Sequence, residues 1–237
     1  MTEWKAKRFW KEATVAPADG GFQVLLDNRA VKTPGKVLLV MPTLAMAEAV
    51  AAEWAAQEEE IKPLTMPVTR SANSAIERVT PAHGEVCAML SAYGETDLVC
   101  YRAESPQALI DRQAAGWDPL LDWVAECFEA PLITTAGVIP VSQPPESLEK
   151  LAAEVRATPA FHLTALHDLI TLSGSLVLGL AVARGHLTPD AAFDLSRIDE
   201  VFQIEQWGDD EEAAEFTAAR RAQFLHAHRF WTLASQD

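Results

Sequence analysis

The chain has 237 residues, enough for one large domain or two modest ones with a substantial core. About half of them are apolar, and 34 acids against 19 Lys and Arg leave a formal net charge of -15. Such a field repels nucleic acid and anionic lipid, so neither is expected as a partner, and it favours plain solubility or a basic partner.

The N-terminus, MTEWKAKRFWKEA, holds no apolar signal core and is not an Arg- and Ser-rich presequence. The expectation is a chain that starts close to folded material and acts in the cytoplasm. Residues 8–41 read as strands. FQVLL at 22–26, the turn Asp27-Asn28, residues 29–33, the turn Pro34-Gly35 and residues 36–41 predict an antiparallel meander. Thr43 then offers an N-cap, and Leu44, Ala47, Ala51 and Trp54 follow on one helical face. Trp54 continues that core stripe and is read as structural. The helix ends in Glu58-Glu59-Glu60, before Lys62-Pro63.

From there the pattern is helical. A capping residue precedes proline at Thr80-Pro81, Ser105-Pro106, Asp118-Pro119, Thr158-Pro159 and Thr188-Pro189, each a predicted helix start. Pro145 opens a further helix. Gly94, Gly185 and Gly208 are predicted stops, and residues 132–141 are expected to be extended. The fold class is therefore α+β: a small N-terminal antiparallel β domain with one helix over residues 1–62, its boundary as early as 42, then a larger all-helical domain over 63–237.

The helical domain is predicted to wrap the uncharged run 169–183, LITLSGSLVLGLAVA. Fifteen such residues fall short of a bilayer span, which takes about 20. They suit one continuous helix, apolar all round and buried. Ser173, Gly174, Ser175 and Gly179 would let neighbouring helices approach closely, and Gly174 and Ser175 are assigned as packing material.

Few patterns carry chemistry. GxGxxG, P-loop and GxSxG signatures are absent. The three cysteines, Cys87, Cys100 and Cys127, are odd in number and form no CxxC. His83 and Cys87 share a helical face, but two ligands make no metal site. No catalytic residue, metal or cofactor is assigned. One alternative reading keeps a small-molecule or hydrolase site among the acids with His83 or His167. Another is an obligate homo-oligomer.

Residues 189–207 read as one helix with two apolar faces. Leu195, Ile198, Val201 and Phe202 make a core stripe. Phe193, Glu200, Ile204 and Trp207 lie on roughly the opposite side, with Gln203 beside them. Glu205 falls toward the core stripe, where a carboxylate needs a partner. The second face either packs within the same protein or binds another. Asp209, Asp210, Glu211, Glu212 and Glu215 either complement the dipole of a helix begun at Asp209 or form an acidic rim.

The sequence resembles the assembly chaperones of the F1 sector of ATP synthase that bind its alpha subunit. The residues that carry the likeness are LLDNRAVKTP at 25–34, Glu53-Trp54 with Gln57, and Met66-Pro67 leading to Ala72-Asn73-Ser74. DLVCYR at 97–102, His167-Asp168 running into Gly174-Ser175-Leu176, and Asp199-Glu200 through Gln203 to Trp207-Gly208 complete the pattern. The resemblance implies a β domain followed by a helical domain, no enzymatic activity, and a protein that holds the free alpha subunit soluble until the beta subunit takes over the same surface; the free chain is expected to be a monomer. Mitochondrial members carry an import presequence, so the chain is similar to a bacterial, cytoplasmic member. The partner-binding residues expected on this basis are Phe193, Glu200, Gln203, Ile204, Trp207 and Glu211, with Glu53.

Overall fold

The computed structural model of the chain describes residues 7–137, 139–208 and 210–235. Two compact units emerge. The first comprises the described residues of Met1–His83, Pro159–Ala165 and Arg229–Asp237, and the second Gly84–Thr158 and Leu166–His228.

The first unit is built on an antiparallel sheet of β1 (Ala13–Ala18), β2 (Gly21–Leu26), β3 (Arg29–Ala30) and β4 (Val40–Met41), with β2 pairing all three others. Asp27 and Asn28 both take positive φ, 47° and 69°, in the two-residue turn that places Leu26 opposite Arg29. Backbone N–H groups of Lys11 and Glu12 bond the Asp27 carboxylate and hold its pKa below the ordinary value. Gly21 is required where β2 meets β4, because a Cβ there would fall 2.1 Å from the Met41 carbonyl oxygen. Val24 and Leu26 turn one face of β2 inward, against Met46, Ala47 and Val50 of α1 (Leu44–Ala55). Thr43 caps α1 as predicted, its hydroxyl accepting from Met46 N at 3.2 Å.

The sequence boundary at residue 62 falls inside this unit, and the reason is a carboxylate. Glu53, on α1, accepts from the N–H groups of Val68 and Thr69 at 2.7 and 2.8 Å and from the Thr69 hydroxyl at 2.7 Å. It thereby caps α2 (Pro67–Ser74), whose own N-cap position, Met66, supplies no side-chain bond. Val68 and Ala72 join the core of the sheet. Gln57, buried, ties the intervening turn with bonds to Lys62 N and Thr65 Oγ1. Trp54 packs edge-on to Trp10 at 5.2 Å.

The helices that follow are α3 (His83–Ser91), α4 (Gln107–Phe128), α5 (Pro145–Arg156), α6 (Ala160–Ser173), α7 (Leu176–Ala183), α8 (Pro189–Leu195), α9 (Ile198–Trp207) and α10 (Glu211–Ser235). A two-residue parallel pair, β5 (Tyr101–Arg102) with β6 (Thr135–Ala136), interrupts the otherwise helical second unit. It is the only strand pairing among the described residues of 132–141; Val138, within that stretch, lies outside them. Pro145 and Thr188-Pro189 open α5 and α8 as expected, and Gly185 and Gly208 follow the ends of α7 and α9 with φ of 70° and 92°. No helix among the described residues is long and apolar enough to cross a membrane.

Three helix predictions are corrected. Asp118-Pro119 does not start a helix: Pro119 lies inside α4, and Asp118 pairs with Arg102 at 2.8 Å. The run 169–183 is two helices, not one. Gly174 takes φ 73° and Ser175 caps α7, its hydroxyl accepting from Leu178 N at 3.0 Å. Residues 176–182 are all buried, as an all-apolar helix should be. Gly179 does permit close approach, since a Cβ there would lie 2.5 Å from Ile170 Cγ1 on α6. The segment 189–207 is also two helices, α8 and α9, broken at Ser196-Arg197. The Ser196 hydroxyl bonds back to Phe193 O at 2.7 Å, and Arg197 N closes on Asp194 O.

Candidate protein-binding face

The break at Ser196-Arg197 decides which side chains reach solvent. On α8, Phe193 turns inward, 1% exposed, against Phe224 at 5.7 Å and beneath the Arg221 guanidinium. Arg221 is fixed in turn by Asp190 and Asp194. Phe193 therefore does not share a face with Trp207, and its expected place at the partner surface is corrected.

Helix α9 is held from one side by α4. Gly116 leaves room for it: a Cβ would stand 2.8 Å from Ile198 Cδ1 and 2.9 Å from Leu195 Cδ2. Trp117 Nε1 donates to Leu195 O at 2.9 Å, and Gln113 Nε2 to Asp199 Oδ1 at 2.6 Å. Arg112 lies over the Phe202 ring and grips Glu205 through two parallel bonds of 3.0 and 2.8 Å. Those bonds lower the Glu205 pKa and raise that of Arg112. The partner that Glu205 needed is thus a cation at the rim of the core.

On its outer side α9 presents Val201, Gln203, Ile204 and Trp207, all exposed, with Trp207 at 83%. Glu200 sits among them, half-buried and paired with Arg197 at 2.8 Å. Glu211 follows, exposed, at the first turn of α10. Asp210 accepts from Glu212 N there; Asp209, the expected cap, lies outside the described residues. Of the core stripe expected on this segment, Ile198 and Phe202 are buried, Leu195 is half-buried, and Val201 is exposed. The structure thus brings Glu200, Gln203, Ile204 and Trp207 onto one helix. Glu53 belongs to the first unit and is committed to capping α2. Phe216, 61% exposed on α10, was not anticipated; an isolated Phe among acids gives no periodic signal.

The other chemical candidates are occupied differently. Cys87 is buried, its thiol directed at Val155 O and its pKa raised by burial. His167 bonds its neighbour Asp168. His162 lies edge-on to Trp231, bonds Ser235, and has a pKa lowered by burial. Among the described residues no three His, Cys, Asp or Glu side chains converge as metal ligands.

A seated helix with bare Trp and aliphatic side chains among acids has the composition of a candidate protein-binding face. The profile of the ATP12 chaperone protein family matches residues 7–125. The mitochondrial protein atp12 of Schizosaccharomyces pombe is 25% identical over 226 residues, 88% of this chain and 76% of its own length. The crystal structure of Atp12 from Paracoccus denitrificans is 56% identical, covers 98% of this chain and all of its own, and superposes with a TM-score of 0.95. A protein of Agrobacterium tumefaciens, 39% identical, covers 97% of this chain and 85% of its own with a TM-score of 0.90. The chain belongs to the ATP12 chaperone family.

Proposed function

We propose that this chain binds the unassembled alpha subunit of the F1 ATP synthase, keeps it soluble, and yields it to the beta subunit, in the cytoplasm of a bacterial cell. The observation that carries the reading is the outer face of α9, where Trp207, Ile204 and Val201 stand in water while Arg112 and Gln113 hold the helix from behind. A subunit interface is apolar in its middle and polar at its rim, and a chaperone for it needs the same composition on its own surface. Its contacts must also be poorer than those of the final partner, which suits a narrow strip better than a broad one. Co-expression with the alpha subunit, followed by pull-down, tests this. Retention of alpha subunit and a rise in its soluble fraction are expected; the absence of both would overturn the proposal.

A further inference from the structure

Beyond α9 a further large apolar side chain is bare, that of Phe216 on α10. Four peptide steps from Trp207 to Glu211 span at most about 14 Å, and five helical residues on to Phe216 add about 8 Å. Phe216 is 61% exposed and lies on the first turns of α10. It is not a loose side chain. The Arg220 guanidinium stands 5.6 Å from its ring centroid, and Arg220 is itself fixed by a 2.9 Å bond from Nη2 to Leu172 O. One face of the ring is supported and the ring is exposed, which lowers the entropy lost on binding.

The charge around this surface is one-signed. Residues 198–216 contain eight acids and no Lys or Arg. Glu205 is neutralised by Arg112 and Glu200 by Arg197. Glu211, Glu212 and Glu215 are exposed, and no basic side chain pairs with them among the described residues. A second copy of this chain is a poor occupant, because a two-fold contact would set the same acids against each other. The occupant that fits is a different protein surface, apolar in the centre and bordered by Lys or Arg.

We infer that Phe216 is a second anchor beside the α9 face, so that the binding surface extends from α9 onto the first turns of α10 and takes an apolar, basic-rimmed region of the partner. The inference rests on the alpha-subunit reading above. It is tested by co-expressing the alpha subunit with the wild-type chain, Trp207→Ala, Phe216→Ala and, as a control, Leu64→Ala, an equally bare side chain of the first unit. Retained alpha subunit should fall roughly tenfold with Trp207→Ala and with Phe216→Ala, and stay level with Leu64→Ala. Melting temperatures of all four should agree, since none of the three side chains is in the core. Raising the salt from about 50 to about 300 mM should also reduce wild-type retention. A wild-type chain that retains no alpha subunit overturns both readings. Wild-type retention lost with Trp207→Ala but unchanged in Phe216→Ala overturns the second anchor alone. An equal loss with Leu64→Ala also overturns it, by showing the effect to be unspecific. Wild-type retention that is indifferent to salt overturns the basic rim.

Discussion

The Ser175 hydroxyl donates a 2.5 Å hydrogen bond to Asp97 Oδ1 across 78 residues of chain. The same hydroxyl oxygen accepts from Leu178 N, while Asp97 accepts from the N–H groups of Val177 and Val99 at 3.0 and 3.2 Å. One carboxylate therefore caps the N-terminus of α7 and the short helical turn Leu98–Cys100 together. Asp97 is fully buried, and burial pushes its pKa up to about 6 against the opposing pull of these donors. A raised native pKa means that the folded chain binds the proton more tightly than the unfolded one. The benefit is complete below about pH 4 and is lost as pH rises to about 6, a change of roughly 3 kcal/mol. Asp97→Asn does not titrate, so the wild-type minus variant stability should fall by that order across this window. Urea denaturation at both ends measures it; a constant difference would mean that the donors fully offset burial, and a rising one that they outweigh it.

Gly174 and Gly179 serve different purposes, and alanine separates them. At Gly174 a Cβ meets nothing within 4 Å, so Gly174→Ala costs only the left-handed backbone at φ 73°, about 1 kcal/mol. At Gly179 the added carbon would press on Ile170 Cγ1 at 2.5 Å and approach its backbone N at 3.4 Å. Overpacking of that kind costs up to about 3 kcal/mol, and the helix propensity of about 1 kcal/mol that alanine regains offsets only part of it, because Cγ1 sits next to the branch point and cannot swing away. Thermal melts should rank wild type above Gly174→Ala and Gly174→Ala above Gly179→Ala.

These glycines also mark where the sequence stopped being legible. The α+β order, the antiparallel sheet with its Asp27-Asn28 turn, the Thr43 and Thr188 caps and the Gly185 and Gly208 stops are readable because each is local chemistry; that β4 returns to pair β2 instead of β3 is not. Nor is the break inside 169–183. An apolar run with small residues reads as one packed helix, and the group that stabilises the break, Asp97, is distant in sequence. The break at Ser196-Arg197 carries neither Gly nor Pro, so the helical wheel was continued through it. That one error put Phe193 on the surface and Val201 in the core. The bonds that Glu53 makes are hidden in the sequence for the same reason: the N–H groups it caps, at Val68 and Thr69, belong to another helix.

Glu53→Ala should therefore be a stability variant. It leaves the first N–H groups of α2 without their acceptor, a loss of about 1–2 kcal/mol. Melting temperature should drop while the folded fraction still retains alpha subunit. Lost retention at an unchanged melting temperature would return Glu53 to the interface. Trp54→Arg should be more severe, because the indole is half-buried against Trp10 and a guanidinium there would lack an anionic partner. Loss of soluble protein is expected; a normal melt would contradict the structural role.

Charge reversal should divide the acids of α9 and α10 by their partners. Glu200 forms only a surface i,i+3 pair with Arg197, and Glu211 has none among the described residues. Glu200→Lys and Glu211→Lys should leave the melting temperature nearly unchanged and weaken retention of the alpha subunit. Glu205→Lys sets a cation against Arg112 in place of a two-bond grip, so it should lower the melting temperature as well. If Glu200→Lys unfolds the chain, that residue is structural.

Gly116 tests whether binding depends on how α9 is seated. It lies within α4, where glycine costs about 1 kcal/mol relative to alanine. Alanine recovers that propensity, but its Cβ meets Ile198 Cδ1 at 2.8 Å and Leu195 Cδ2 at 2.9 Å, both side-chain ends that can give way. Gly116→Ala should thus be close to neutral in stability. Gly116→Leu cannot be absorbed by those two tips, and the strain passes to the α8–α9 joint and to the Arg112–Glu205 grip beyond it. Amide exchange should then accelerate across Ile198–Trp207 more than elsewhere in the unit, and retention of the alpha subunit should fall although every exposed side chain of the face is unchanged. Faster exchange with full retention would show that the face works without a rigid seat.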